Sequence, residues 1–431
     1  MSSDLKSFDI ESMVFGLDDI LNFQAVGSIN LPRTPTGPVA TDIKSSLRVA
    51  LDKIKPYSSV FLKPHTLTGN IEMTRLDVSG PIDPKQFEGD PLKAVLPFVT
   101  VEILLEKISA SYPEIAAAIS DVDGLLKLAV GPDAASGGSF AAADIAVSVP
   151  TISIGASKVT GGVAAGIGGL SLRTKSRLQL ANLSTPLTRL NLDVAQVRVK
   201  QPDSPELALP FYIDASVDGS LMDKEFNSAL DTELGDLLNA SVSLDCSNGC
   251  RKVRHASEVR VAELARVHEV AAPFAAVAGM EQYFPISASG AIDTQLQARG
   301  DLLHEPGSPD FGLHSIDKSF NVRGQFDVAD VNVVLPVFAA ELSGFELRGF
   351  ANGDFLRQRF NLSTGFSKLK ALPPGLKEPV NVERMRVEAK ASNKLAQDFD
   401  LANPLPSTDS TVDLRVELGR ASVAGILPDP I

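Results

Sequence analysis

The chain has 431 residues and a formal net charge of −13, from 40 Lys plus Arg against 53 Asp plus Glu. That length exceeds the usual single-domain range of roughly 50–250 residues and predicts two or three domains or one elongated, repetitive one. A hydrophobic fraction of 44% with 22% charged residues excludes wholesale disorder. An acidic chain without a basic block is a poor match for nucleic acid, where phosphate neutralisation dominates affinity.

Aromatic residues are few, with 21 Phe, 4 Tyr and no Trp, so the core must rest on Leu, Val, Ile and Ala. Five scattered His and two Cys give little support to catalysis, and the expectation is a protein that is not an enzyme and needs no cofactor. The N-terminus, MSSDLKSFDIESMVFGLDDIL, has acids where a signal peptide needs a basic start. No stretch reaches the roughly 18 apolar residues of a membrane span. The chain therefore reads as soluble and unanchored, or as a fragment of a longer exported protein whose anchor is missing.

Period-two alternation then recurs along the chain. LRVALDKI at 47–54 is the first case, and GNIEMTRLDVSG at 69–80 puts Ile71, Met73, Leu76 and Val78 on apolar faces. A helix is expected near 98–111, where Phe98, Val101, Leu104, Leu105 and Ile108 recur at helical spacing between Pro97 and Tyr112-Pro113. ADIAVSVPTISIGA at 143–156 aligns Ile145, Val147 and Val149, then Ile152 and Ile154 after a proline shift. LSLRTKSRLQLANL at 170–183 supplies Leu178 and Leu180; TRLNLDVAQVRVKQ at 188–201 aligns Leu190, Leu192 and Val194, then Val197 and Val199 after a slip.

Further on, DCSNGCRK holds Cys246 and Cys250 around Asn-Gly, a strong tight-turn dipeptide, between two alternating runs. This reads as a hairpin with two thiols close enough to bridge, which tilts the reading toward an oxidising compartment. Half of a metal site is the other reading, but no second Cys pair or His-x3-His completes it, so no metal is expected. A second helix is expected near 258–283, with Val261, Leu264, Ala265 and Val267 inward and a break at Pro273. Strand-like runs resume at 289–303, 320–336, 345–369, 380–392 and 411–427. The total is about 18 to 22 strand candidates, against about 4–6 in an ordinary sheet.

A small or polar residue followed by Gly opens many of these strands, as at Thr68-Gly69, Ser79-Gly80, Ser289-Gly290 and Arg323-Gly324. Gly at a strand edge suits a bulge or a tight turn. Each predicted helix is followed by an aromatic-Pro pair, small residues, Gly and a strand, which suggests two related modules, 1–170 and 171–431. The boundary would fall in the Gly-rich stretch TGGVAAGIGGLS at 160–171. That stretch lacks the Gly-Lys-Ser/Thr of a phosphate loop and is followed by a strand pattern, so it reads as a turn or linker. Asp121-Val122-Asp123-Gly124 lacks the remaining ligands of a calcium loop. His65, His255, His268, His304 and His314 are dispersed and read as surface or satisfied residues; Asn182, Asn239 and Asn361 begin N-x-S sequons that matter only on a eukaryotic secretory route.

The runs LSLRTKSRLQLANLSTPLTRLNLDVAQVRVK, YIDASVDGSLMDKEFNSALDTELGDLLNASVSLD and SASGAIDTQLQARGDLL resemble the AsmA-like and TamB-like β-groove proteins of Gram-negative bacteria. The shared features are long amphipathic strands, small-Gly openings and a scarcity of catalytic residues. The resemblance covers about 60–430. It implies a mainly β fold, an elongated repetitive antiparallel sheet curled into a groove, whose apolar inner face carries phospholipid between membranes. It also implies the periplasm or cell envelope, and a membrane anchor that this sequence does not contain.

The dimensions of such a groove are independent of kinship. A strand of roughly 10 residues spans about 33 Å, whereas one acyl chain occupies about 15 Å, half of a hydrocarbon core. The candidate groove residues are Ile145, Val147, Val149, Leu178, Leu180, Leu190, Leu192 and Val194, because consecutive strands with clean alternation supply them. The expected function is non-enzymatic binding and transfer of phospholipid or another long apolar ligand. The alternative is a structural or adhesive β-rich surface protein, in which the same apolar face is a closed core.

Overall fold

The computed structural model describes residues 7–423 except 32–37, 59–65, 84, 86–93, 114–115, 134–136, 157–161, 182, 201–205, 221, 278–282, 305, 307, 310–315, 318, 336–339, 355–356, 373–378 and 396–407. His65, His314 and Asn182 lie outside the described residues. The fold is mainly β, with antiparallel strands and two helices, and the chain forms two compact units, Met1–Asp223 and Lys224–Ile431.

The first unit contains β1 (Ser7–Leu17), β2 (Leu21–Asn30), β3 (Val39–Ala50), α1 (Leu51–Ser58), β4 (Thr66–Ile82), β5 (Phe98–Tyr112) and β6 (Ala117–Asp133). It continues through β7 (Gly138–Ile154), β8 (Ala164–Gln179), β9 (Ser184–Lys200) and β10 (Leu207–Ser220). Each strand pairs antiparallel with the next, so the unit is a ten-strand meander in chain order. Sequential pairing needs only short returns, and many short polar or Gly-containing turns between alternating runs supply them.

The second unit follows the same rule with β11 (Glu225–Leu234), β12 (Leu238–Ser247), β13 (Lys252–Val261), α2 (Leu264–Val277), β14 (Ser287–Asp301) and β15 (Asn321–Leu335). It ends in β16 (Ala340–Asp354), β17 (Arg357–Ala371), β18 (Val380–Leu395) and β19 (Thr408–Val423). Again every strand pairs with its successor. α1 lies against β4 and α2 against β14.

Four expectations need correction or adjustment. The helix expected near 98–111 is strand β5. Its apolar residues fall at helical spacing because both faces carry them: Ile103 and Leu105 face Leu126 and Gly124, while Leu104 faces Leu125. A register shift between Leu105 and Ile108 further breaks the alternation. Second, the alternation at 47–54 continues as strand only to Ala50, and α1 begins at Leu51 with Leu51 and Ile54 partly buried. Third, the helix expected near 258–283 is α2, but its first residues, through Val261, belong to β13, and the helix runs through Pro273 to Val277 where a break was expected. Finally, the Gly-rich stretch expected to separate modules leads into β8, which pairs with β7 and β9 on either side of residue 170, and the compact units divide after Asp223.

The small-Gly phrase has a structural meaning at two of its sites. Gly69 (φ 105°) and Gly290 (φ 111°) each sit at a register shift, opposite a residue in the left-handed region: Lys107 (φ 48°) and Asp330 (φ 47°). A Cβ on Gly69 would lie 2.7 Å from the Lys107 carbonyl oxygen, and one on Gly290 would lie 2.7 Å from that of Asp330. Both units therefore use one bulge device, and glycine is required where the partner backbone closes in.

Candidate functional site

The register of the first unit lines up a mostly apolar strip across its ten strands, interrupted at Gly124 and Thr174. Directly opposed residues of an antiparallel pair share a face. One row runs from Leu17 on β1 to Leu21, Val49, Ile71 and Leu105. It continues from Leu105 through Gly124, Val147, Leu172 and Leu192 to Ile213 on β10. A parallel row passes through Phe23, Leu47, Met73, Ile103, Leu126 and Ile145, then Thr174 and Leu190. At a strand spacing of about 4.8 Å the strip is about 43 Å long.

These side chains are only partly shielded from solvent among the described residues. Ile145, Val147, Leu172, Leu190, Leu192 and Ile213 are all partly exposed, and Leu17 at the strip's start is 51% exposed. In a face-to-face sandwich the inner residues interdigitate at interior density and lose contact with water. Deeper shielding begins where the strands slip. Val149 and Ile154 are buried while Pro150 and Thr151 between them are exposed; Val194 and Val197 are buried while Ala195 and Gln196 are exposed. Gly169 (φ 65°) on β8 and the register shift at Pro210 on β10 fall at the same level of the ladder. The slip is thus shared by four neighbouring strands, and beyond it Ile154, Ala165, Val197 and Val199 are buried.

The eight candidate residues divide accordingly. Val149 (6% exposed) and Val194 (2% exposed) are buried, and the other six are partly exposed. Ile145, Val147, Val149, Leu190, Leu192 and Val194 lie in opposed positions linked through β8. Leu178 is opposite Ala141 on the same face, further along β8. Leu180 falls just past the end of β8, where its N–H donates to the Ser139 carbonyl at 2.8 Å. Ile103, Leu105, Leu126 and Leu172 complete the strip and were not among the sequence candidates. The alternation Val99, Val101, Ile103, Leu105 was the available signal, masked by apolar residues on both faces of β5.

The opposite face is a cross-strand charge ladder. Arg75, Glu102, Lys127, Asp144 and Lys175 are successive opposed partners on β4 to β8, so their signs alternate. Lys127 Nζ lies 3.3 Å from Glu102. On β9 and β10, Arg189 donates two hydrogen bonds to Asp214, at 3.2 and 2.5 Å, and the Tyr212 hydroxyl donates a third at 3.1 Å. The Arg189 hydrogen bond holds the Asp214 carboxyl below its ordinary range, and Asp214 in turn raises Arg189. The face carries two open hollows of about 690 and 670 Å3, the first walled by Gly166, Gly168, Gln196 and Arg198, the second by the charge ladder.

The second unit repeats the apolar design. Leu238, Val261, Ile292, Val328, Leu347, Thr364, Val387 and Val416 are successive opposed partners from β12 to β19. Where glycine interrupts the neighbouring row, Phe326 fills the space: its ring comes within 2.7 Å of the Cβ position of Gly324.

Among the described residues, no His, Cys, Asp and Glu cluster of metal-site size lies on either strip. Cys246 and Cys250 form a disulfide across the β12–β13 turn, with Cα atoms 4.5 Å apart, and both are buried. His255 hydrogen-bonds Ser257, and His268 hydrogen-bonds the Pro285 carbonyl while stacking on Phe284. Among the described residues no three His, Cys, Asp or Glu side chains cluster to hold a metal ion, and no helix is long and apolar enough to cross a membrane. Comparison with known proteins finds no matching family model, no similar curated protein and no similar solved structure.

Proposed function

We propose that the protein is a non-enzymatic carrier of phospholipid or another long apolar ligand, held along the apolar face of the sheet. One observation carries this reading: the two-row strip runs through the first unit, with only Gly124 and Thr174 interrupting its apolar side chains, and leaves those side chains partly open to solvent. Two rows about 7 Å wide and about 43 Å long outline a footprint of about 300 Å2, within the ordinary range for the largest apolar patch of a monomer; its length along one face, more than its area, supports the reading. The strip is more than twice as long as one acyl chain of about 15 Å, and it offers no hydrogen-bonding specificity that would restrict the ligand.

The reading extends to kinship with the AsmA-like and TamB-like β-groove family and to residence in the periplasm or cell envelope. The Cys246–Cys250 disulfide supports an oxidising compartment. Mass spectrometry of lipids that co-purify with the native protein tests the proposal. Phospholipid at about one or more molecules per chain is the expected result. Lipid-free protein from every extraction condition would leave the structural, ligand-free alternative standing.

A further inference from the structure

The last described strand of the second unit has one side without a strand partner among the described residues. β19 pairs along one side with β18, and among the described residues no strand pairs with its other side. Its sixteen residues span about 54 Å. Long free edges are usually blunted by Pro, Lys or a bulge. Residues 408–423 contain neither Pro nor Lys, and the β18–β19 register keeps one phase from Val380 to Leu395, with a local irregularity only where Gly419 lies opposite Arg384 (φ 53°), beyond the 412–418 stretch. Val412, Leu414, Val416 and Leu418 are 69%, 61%, 58% and 50% exposed.

The charges between these apolar residues say what fits. On the existing ladder, Lys390 faces Asp413, Glu388 faces Arg415 and Arg386 faces Glu417, each a pair of opposite signs. β19 therefore presents minus, plus, minus on one face and an aliphatic row on the other. An antiparallel copy of the same strand matches this pattern. With Leu414 opposite Leu414, Asp413 meets Arg415 of the copy twice, and Val412 meets Val416. With Val416 opposite Val416, Arg415 meets Glu417 twice. The intermediate register fails, because Arg415 meets Arg415 and Asp413 meets Glu417. Slips by one residue fail too, because they set the apolar row of one strand against the charged row of the other.

β1, the first described strand, does not self-pair in this way. β1 carries Asp9 and Glu11 and has no cation within Ser7–Leu17, so two copies would repel.

We propose that the outer edge of β19 is a self-association surface: a second copy of this chain adds its own β19 antiparallel, about a two-fold axis at Leu414 or Val416. The contact is isologous and closes on itself as a dimer. It also carries the apolar row of one copy onto that of the next.

Size-exclusion chromatography with light scattering on the full chain should give twice 45.6 kDa. The Leu414→Lys/Val416→Lys variant should run as a monomer with an unchanged circular dichroism spectrum, since both positions are solvent-exposed. Cysteine placement reads the register independently of mass. The native cysteines are paired with each other, so an introduced thiol has no native competitor. Leu414→Cys or Val416→Cys should form a covalent dimer under mild oxidation, and Arg415→Cys should not. A wild-type monomer at all concentrations tested overturns the proposal. So does equal cross-linking at 415, or open-ended oligomers of the kind a β1-to-β19 contact would build.

Discussion

Val194 and Leu192 stand two residues apart on the same face of β9, yet Val194 is 2% exposed while Leu192 remains partly open to solvent. The strip thus passes from an open surface to a shielded patch within one strand step. Leu192→Glu should cost about 1 kcal/mol, because water still reaches the new carboxylate. Val194→Asp should cost about 3–5 kcal/mol, because it buries a charge without a partner. Denaturant midpoints of the two variants measure the contrast, and similar losses would mean that Leu192 belongs to a closed core.

The bulge glycines give a second contrast. Gly69→Ala and Gly290→Ala each force a side chain against backbone 2.7 Å away at positive φ and should destabilise by about 1–3 kcal/mol. Gly137→Ala, also at positive φ but with nothing within 4 Å, should cost less, about 1 kcal/mol. Thermal unfolding of the three variants side by side checks the order.

The Arg189–Asp214 pair sets a direction for pH dependence. Hydrogen bonds from Arg189 lower the Asp214 pKa in the folded protein, so the unfolded chain binds the proton more readily. The contribution is fully present above about pH 4 and is lost as pH falls through the depressed folded value. Asp214→Asn should remove this part of the acid limb, and added salt should shrink it, since Arg189 is largely exposed. The carboxyl chemical shift of Asp214 followed against pH reads the sign directly.

Removal of the disulfide should be mild. Cys246 and Cys250 are four residues apart, and a closed loop of about five residues is worth about 2 kcal/mol of chain entropy at most. The β12–β13 ladder is held by ten opposed residue pairs from Leu238–Val261 to Ser247–Lys252. Hydrogen exchange of a Cys246→Ser/Cys250→Ser variant should accelerate at residues 247–251 and stay protected along the ladder.

Much of this architecture is legible in the sequence, because a sheet with one solvated face imprints period-two alternation on every strand. Even the slips at Pro150 and after Val194 are visible as breaks in phase. β5 is not legible in the same way. Leu104 on its polar-side face, together with the bulge near Lys107, turns two-residue spacing into a helical stripe. α1 is hidden because eight residues are too few for periodicity to outweigh the strand that leads into them. The strip itself needed register, which alternation does not provide: Val147, Leu172 and Leu192 become neighbours only through the β7–β8 and β8–β9 pairings.

Photocrosslinking measures the central claim most directly. A benzophenone side chain at Leu192, on the open strip, is compared with one at Arg173, exposed on the opposite face of neighbouring β8. The protein is irradiated with labelled phospholipid vesicles and the adducts are identified by mass. A lipid-bearing strip predicts a phospholipid adduct at 192 and little at 173. Equal labelling at both positions, or none at 192 in a folded protein, would contradict a ligand-carrying face.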